Sequence, residues 1–394
     1  MLLRSGIIRR PLVVLEGCGY HVNDYLWPAF EDHVHKDRIV LCVTDMGPTP
    51  PAQRIRAYLN NGGENVQYVD KSSTTGRDTL ALLRPSCVYV ATPDHTHCEV
   101  VKDWLVPVAR TPLVIVEKPF APSAAHVKSL TKDLKRVHGL EALSLVRAID
   151  NYYIRALGAR KHMANVVAML GSVAAVEARV TESRLVETDR DLPGMILDLL
   201  PHALSALHSC GQIAEPRKEK WALSGTWWGR YPGACNLRGE ETAGEARGRL
   251  HVHAAGDATC SLTIRVGKGI GFRDQKHIDL VATTDDRVAR LSFLKDESAL
   301  SVGYCSKEGY NGEAEIAPLV HDAHRHFVDI LVEWLHGGRS RDRVDELLFD
   351  VGEAHTTVAQ TDQVYASLRR LGPPEEYAFG TEPWPSQSSR RVTR

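Results

Sequence analysis

No C-x-x-C pair occurs among the eight cysteines, which stand at 18, 42, 87, 98, 210, 235, 260 and 305. Such a scatter predicts neither a disulfide frame nor a thiolate zinc site, and several thiols lie in apolar, strand-like runs suited to a reducing compartment. Charge of one sign is not in excess, with 48 basic residues against 49 acidic ones. Nothing therefore points to nucleic acid or an anionic membrane as partner. No uncharged apolar run reaches membrane-spanning length; the longest evident one, Val166 to Val176, is interrupted by Gly171. The opening MLLRSGIIRRPLVVLEG sets arginines between its short apolar pieces and lacks a signal-peptide core. Internal repeats are also lacking. A cytoplasmic protein with a small-molecule partner is expected. Its 394 residues suit two domains, 1–149 and 150–372, with a tail over 373–394.

What is present centres on Leu113 to Phe120, LVIVEKPF. Four consecutive bulky apolar residues read as a strand buried on both faces, the pattern of a parallel sheet. Glu117 and Lys118 leave it at the carboxyl end, where open α/β sheets bind ligands, and Pro119 ends the strand and biases Lys118 towards an extended backbone. Upstream, the strand Pro11 to Glu16 runs into GCGYHVN. Gly17 and Gly19 there allow a tight strand-to-helix turn that leaves backbone N–H groups bare for a pyrophosphate, with Cys18, Tyr20 and His21 completing the turn. A helix follows from about Val22 into Phe30, with Pro28 within it or at its end. The strand Arg38 to Asp45 ends in an acid placed to bind adenosine ribose hydroxyls and repel a 2′-phosphate, which favours NAD over NADP. Arg54 and Arg56 follow and have the charge to bind a phosphate instead.

The alternation continues with a helix over 50–61, a strand Val66 to Val69, a small helix Asp78 to Leu83 and a strand Cys87 to Thr92. Thr92 and Pro93 stand where the nicotinamide side of a cofactor would be lined. His95 and His97 have no third ligand within reach in sequence, so no metal is expected. With a helix Ala124 to His138 and a strand Leu143 to Ile149, this half reads as a doubly wound parallel sheet of about six strands, the Rossmann arrangement.

GCGYHVN, VATPDHTH and VIVEKPF, in this order, resemble the dinucleotide-binding half of the glucose-fructose oxidoreductase and inositol dehydrogenase (Gfo/Idh/MocA) family. Two departures stand in the first motif: Val22 occupies the place of the third glycine, and Glu16 sets an acid immediately before the turn. Past Ile149, AIDNYYIRALGARKHMANVVAML reads as an entry turn and a helix, and is similar to the sugar-phosphate-binding stretch of glucose-6-phosphate dehydrogenases. Where that family carries a histidine and a lysine, this chain has Asn151 and Arg155, with Tyr152 beside them. The strand Ser172 to Arg184 leads to DLPGMILDLLPHALSAL, in which Asp198 and His202 are four apart and share a helix face. A carboxylate beside an imidazole fixes its tautomer and raises its pKa, which prepares a histidine to take a hydroxyl proton near neutral pH. Pro201 between them either interrupts the helix or marks its first turn. The Gfo/Idh/MocA resemblance implies that Lys118, Asp198 and His202 form the catalytic set. It also implies that the glycine turn, Asp45, Thr92, Pro93, His97, Glu117 and Lys118 meet the cofactor.

Strand-like runs at Lys220 to Trp228, Arg249 to Ala254, Ala258 to Val266, Lys276 to Ala282 and Arg287 to Leu294 predict a mostly antiparallel second sheet. Helices on one face would leave the other open for a homodimer or homotetramer, as the resemblance also implies. Trp227 and Trp228 would point to opposite faces. His251 with His253, and His321 with His324 and His326, lack thiolates or carboxylates at ligand spacing, so no metal is expected there either. Leu319 to Leu335 and Val344 to Leu371 read as long amphipathic helices closing the second domain.

Together these features predict an NAD(P)-dependent oxidoreductase acting on a secondary alcohol of a sugar, sugar phosphate or cyclitol. Two alternatives stand beside it: a nucleotide- or sugar-binding sensor without turnover, and redox-assisted elimination or glycoside cleavage with the cofactor recycled.

Overall fold

Short strands, continuously apolar except for Gln67, Arg147 and polar residues at strand ends, build the first sheet. They are β1 (Leu12–Glu16), β2 (Val40–Asp45), β3 (Val66–Asp70), β4 (Cys87–Val90), β5 (Leu113–Val116) and β6 (Val146–Ala148). The computed structural model describes residues 10–106, 112–150, 155, 159–171, 173–183, 194–210, 225–230, 244–253, 259–269, 272–282, 287–294, 299–306, 309–317, 323–338 and 340–370. Of the described residues, those within 10–150 and 323–355 form one compact unit, and those within 155–317 and 356–370 form the other.

In the first unit the strands run parallel in the order β3-β2-β1-β4-β5-β6. Val13, Val14 and Leu15 of β1 and all four residues of β5 are buried, as strands covered on both faces must be. Strand order reverses between β1 and β4, which opens a crevice at their carboxyl ends. The helices are α1 (Trp27–His35), α2 (Gln53–Asn60), α3 (Thr74–Leu82), α4 (His97–Leu105) and α5 (Ala124–His138). α5 buries Val127, Leu130 and Leu134 at helical spacing. α3 begins four residues before the expected Asp78, because the Ser73 hydroxyl caps it by accepting the Gly76 N–H at 2.9 Å. Pro28 does not interrupt the first helix: residues Val22–Leu26 wind as a π turn directly before α1, and the Trp27 N–H reaches back five residues to the Val22 carbonyl. The wider winding accommodates a residue that has no N–H and whose ring would crowd the carbonyl four residues back.

The second unit holds β7 (Val173–Glu182), β8 (Gly225–Arg230), β9 (Gly244–His253), β10 (Thr259–Lys268), β11 (Gln275–Ala282), β12 (Arg287–Ser292), β13 (Ala299–Ser306) and β14 (Gly309–Ala317). Their order is β14-β13-β12-β11-β7-β10-β9-β8, with β7 and β10 parallel and the other pairs antiparallel. β13 and β14 are additions to the expected set. Glycines 309 and 312 and glutamates 313 and 315 hide the alternation of β14, and it is pairing with β13 that makes it a strand. α6 (Ala159–Leu170) and α7 (Met195–Ser209) supply the core partners of this sheet. Val176, Ala178 and Val180, then Leu262, Ile264 and Val266, then Ile278 and Leu280 pack with Leu199, Leu200, Ala203 and Leu207.

α8 (Ala323–Leu335) belongs to the first unit and lies on α1. His33 donates from Nε2 to Asp329 at 2.8 Å, and Arg325 pairs with Asp32 at 2.9 Å. The single helix expected over Val344–Leu371 is two helices, α9 (Arg341–Asp345) and α10 (Val351–Arg370). Between them Phe349 exchanges two 2.9 Å backbone hydrogen bonds with Ala148 at the sheet edge. Asp350 and Glu353 then start α10 as a capping box: the Glu353 N–H donates to Asp350 at 2.8 Å and the Asp350 N–H to Glu353 at 3.0 Å.

Candidate active site

At the crevice, the end of β1 turns through Gly17 and Cys18, which are buried, to Gly19 and Tyr20, which are exposed. Gly17 has φ +93°, and a Cβ there would lie 2.7 Å from the Ala91 carbonyl oxygen just past β4. Only glycine tolerates both conditions. A Cβ on Gly19 would meet nothing within 4 Å, so the backbone at the helix start is open to an approaching group. Asp45 at the end of β2 accepts the Cys18 N–H at 2.7 Å and the Met46 N–H at 2.7 Å, one on each oxygen. It thereby steadies the glycine turn and keeps lone pairs for ribose hydroxyls. Arg54 and Arg56 are exposed on α2. The geometry fits a dinucleotide: an open glycine, a helix start and an acid at the neighbouring strand end.

Glu16 does not face this opening. It is 1% exposed and turned inward, accepting from Trp104 Nε1 at 2.7 Å and from Lys71 Nζ at 3.2 and 3.3 Å. Burial pushes its carboxyl up, with the Lys71 charge and the Trp104 N–H opposing. Val22 is fully buried inside the π turn, so the larger side chain at the third-glycine place coincides with a widened first turn.

β5 delivers Glu117 and Lys118, and the Lys118–Pro119 peptide is cis. The Glu117 carboxylate accepts from the Tyr89 hydroxyl of β4 and, at 3.2 Å, from the Lys118 backbone N–H; His21 Nε2 lies 2.8 Å away. Burial works to raise this carboxyl, but His21, Tyr89 and His324 outweigh it and hold it down to about 2. His21, Tyr25 and His324 form a ring cluster beside it, with centroids 5.3–5.6 Å apart. Tyr89 and His324 join the site only through the fold. Tyr89 reads as one more apolar strand residue, and His324 comes from the distant α8.

Thr92 and Pro93 follow β4, and Thr96 Oγ1 lies 2.8 Å from Thr92 Oγ1 and donates to the Pro93 carbonyl at 2.7 Å. His97 is 1% exposed and bridges the two strand exits: Nδ1 lies 3.0 Å from the Pro119 carbonyl and Nε2 lies 2.7 Å from the Thr92 carbonyl. The neutral imidazole has one N–H and donates to one of the two carbonyls, and the ring wedged between them ties the Lys118 segment to the Thr92 segment. Burial pushes its pKa down, opposed by those two carbonyls and by the Asp94 and Glu117 charges.

The second unit carries Asp198 and His202. α7 is buried along nearly its whole length, and Leu197, Asp198 and His202 are the positions in it that are only half-buried. The pair therefore shares one exposed edge of an otherwise buried helix. Pro201 sits inside the helix and not in its first turn. Lys268, which the sequence reading missed, reaches Asp198 Oδ2 with Nζ at 2.6 Å. Its signal was register: counting on from Leu262, Ile264 and Val266, residue 268 falls on the same inward face. Arg155 is helical and half-buried; Asn151 and Tyr152 lie outside the described residues, as do His321 and the 373–394 tail, while only the backbone is described for Trp227, Trp228, His251 and His253.

Among the described residues no group of histidine, cysteine and acidic side chains is placed to hold a metal ion. No helix of the described chain is long and apolar enough to cross a membrane.

No curated protein matches the sequence. Solved structures match over nearly the whole chain at low identity. The WlbA dehydrogenase of Bordetella pertussis, solved with NADH and UDP-GlcNAcA, is 18% identical with a TM-score of 0.59, over 94% of this chain and 100% of that one. The 3-ketoreductase KijD10 of Actinomadura kijaniata, solved with TDP-benzene and NADP, is 14% identical with a TM-score of 0.59, over 91% and 98%. Glucose-6-phosphate 1-dehydrogenase of Mycobacterium avium is 15% identical with a TM-score of 0.61, over 89% and 91%. The chain has the fold of these proteins. In sequence, residues 13–141 match the oxidoreductase family Gfo/Idh/MocA, described as an NAD-binding Rossmann fold.

Proposed function

We propose that this chain is an NAD(P)-dependent oxidoreductase acting on a secondary alcohol of a sugar, sugar phosphate or cyclitol, nucleotide-linked sugars included. One observation carries the reading. The crevice between β1 and β4 gathers the open glycine turn, Thr92 with Pro93, and Glu117 with Lys118 at adjoining strand ends. In this reading the backbone of Gly17 to His21 holds a pyrophosphate, Asp45 holds the adenosine ribose and favours NAD, and Thr92, Pro93 and Glu117 line the nicotinamide side. The cofactor, when bound, exchanges a hydride with the substrate carbon. The Lys118 ammonium stabilises the oxygen that becomes an alkoxide. His202 takes the hydroxyl proton, oriented by Asp198, while Asn151, Tyr152 and Arg155 hold the rest of the substrate. Self-association through the sheet face away from α7, and a cytoplasmic setting, belong to the same reading.

The test has two stages. Mass spectrometry of the denatured protein identifies any carried NAD(P), and a panel of sugars, sugar phosphates, cyclitols and nucleotide sugars is then scored by nicotinamide absorbance. The panel includes nucleotide sugars because two of the structural neighbours hold a nucleotide-linked ligand. Lys118→Ala and His202→Ala are each expected to lower kcat by at least about a hundredfold with cofactor affinity nearly intact. Near wild-type turnover in both variants sinks the proposal.

A further inference from the structure

Lys268 is a lysine 6% exposed, and a charge in that position needs partners. It ends β10 opposite Glu182 of the parallel strand β7. Its Nζ lies 2.6 Å from Asp198 Oδ2 and 3.1 Å from Glu182 Oε2, and Lys276 Nζ of β11 lies 3.0 Å from Glu182 Oε1. Among the described residues of β7, β10 and β11 these are the charged side chains on the sheet face that α7 covers, and Arg287 of β12, on the same face, donates to the Met169 carbonyl of α6 at 2.7 Å. Glu177, Arg179, Arg265, His277 and Asp279 alternate to the opposite face. α10 meets α7 further along, where His208 Nε2 lies 3.3 Å from Gln360 Oε1. Two lysines and two carboxylates thus form a balanced chain beneath the edge that carries His202.

We propose that Lys268 is a positioning residue for the Asp198–His202 pair: it fixes the Asp198 carboxylate and balances its charge, so that His202 is free to accept a proton near neutral pH. The inference rests on the reading of those two residues as the acid–base pair. Without Lys268, Asp198 loses the ammonium 2.6 Å from its Oδ2, while Glu182 keeps Lys276 at 3.0 Å. Loss of that positive charge would favour the protonated imidazole of His202, one helical turn from Asp198, and oppose its taking the hydroxyl proton. The Lys268 contact also sets the direction of the Asp198 side chain, which a solvated aspartate on a half-exposed edge would not keep.

The test is the titration of His202 by NMR on the full chain with labelled histidine, its signal identified by its loss in His202→Gln. Lys268→Met is expected to move the midpoint up by about one pH unit, the size of one added charge at side-chain distance in a partly buried site. Lys268→Arg should restore it. Glu182→Gln, which removes one of the carboxylates paired with Lys268, should move it down, and it keeps the proposal testable if Lys268→Met fails to fold. The acid limb of the kcat profile should follow the same shifts, with KM for the cofactor unchanged. An unmoved midpoint in Lys268→Met, or an upward one in Glu182→Gln, overturns the role of Lys268. If the midpoints move as expected in a chain that oxidises no member of the panel, Lys268 keeps its electrostatic role and the dehydrogenase reading fails instead.

Discussion

Adding one methyl group at Gly17 and at Gly19 separates the two functions of the glycine turn. At Gly17 the backbone has φ +93°, which costs an L-residue about 1–2 kcal/mol. The added carbon would also stand 2.7 Å from the Ala91 oxygen, 2.8 Å from the Ala91 carbonyl carbon and 2.9 Å from the Thr92 nitrogen. Those are main-chain atoms, and they have little room to yield. The Ala91 N–H is bonded to the Glu16 carbonyl at 2.8 Å, and the Gly17 N–H to the Thr44 carbonyl at 2.9 Å. Overpacking of that kind adds about 1–3 kcal/mol. Gly17→Ala is therefore expected to cost about 2–5 kcal/mol, a fall in Tm of roughly 5–15 °C for a unit of this size. At Gly19 there is neither a positive φ nor an atom within 4 Å, so Gly19→Ala should change stability by less than about 0.5 kcal/mol. Its methyl group would stand where a pyrophosphate must come against the backbone, and cofactor Kd should rise at least about tenfold. Thermal unfolding and calorimetric titration with NADH and NADPH on both variants decide the matter. A Gly17→Ala protein melting within about 1 °C of wild type refutes the steric reasoning. A Gly19→Ala protein with unaltered cofactor affinity refutes the placement of the pyrophosphate.

Glu117 sets an acid limit on the first unit. Its carboxyl is held down to about 2 against an ordinary 4.5, so the stabilisation is complete above about pH 4.5 and is lost as pH falls towards 2. The loss amounts to about 3 kcal/mol, and in Glu117→Gln the urea midpoint should depend visibly less on pH over that window; parallel curves for the two proteins would contradict it. Burial pushes the thiols of Cys18 and Cys98 to about 11 and those of Cys42 and Cys87 to about 12. Native protein at pH 8 should leave these four unmodified by iodoacetamide while urea exposes them, as peptide mapping would record. His97→Ala removes the ring N–H from whichever of the Pro119 and Thr92 carbonyls accepts it, at about 1–3 kcal/mol for the group left unsatisfied. A drop in Tm accompanied by a lower kcat is expected, because the Lys118 segment loses its tie to Thr92. Stability lost with kcat unchanged would mean that the tie does not reach Lys118.

The parallel sheet was legible because its central strands are short and apolar, with an acid closing β1, β2 and β3 and Glu117 and Pro119 following β5. LVIV and CVYV could hardly be exposed, and α5 announces itself through Val127, Leu130, Leu134 and the glycine that stops it. Legibility failed where an element owes its form to a distant partner. β14 has too many glycines and glutamates to read as a strand until β13 pairs with it. The interruption before α10 comes from Phe349 pairing with Ala148, about two hundred residues earlier, although the Asp350 and Glu353 spacing was a capping signal available in the sequence. Of the site, the glycine turn and the Glu117–Lys118 exit were legible from spacing and position. Tyr89, His324 and Lys268 were not, since each looks like an ordinary member of its strand or helix.

The two irregularities of the glycine motif show how such distant partners change a functional reading. Taken locally, Glu16 threatens the pyrophosphate with a like charge and Val22 threatens the packing of helix on strand. In the fold Glu16 faces inward, and its charge is met by Lys71, 55 residues away, and by Trp104, 88 residues away. Lys71 follows β3 and Trp104 lies on α4, so the acid links two elements that flank β1. Val22 meets its steric demand within the helix itself, through a π turn that also admits Pro28. Each departure from the fingerprint is thus matched by a structural change that leaves the backbone of Gly19 open. If this reasoning holds, restoring the fingerprint piecemeal should do harm: Glu16→Ala would leave Lys71 and the Trp104 N–H without their shared acceptor, at about 1–3 kcal/mol, without improving cofactor affinity. Tighter NADH binding by Glu16→Ala would instead mean that the acid does act on the pyrophosphate, and the inward orientation of Glu16 would be the statement to abandon.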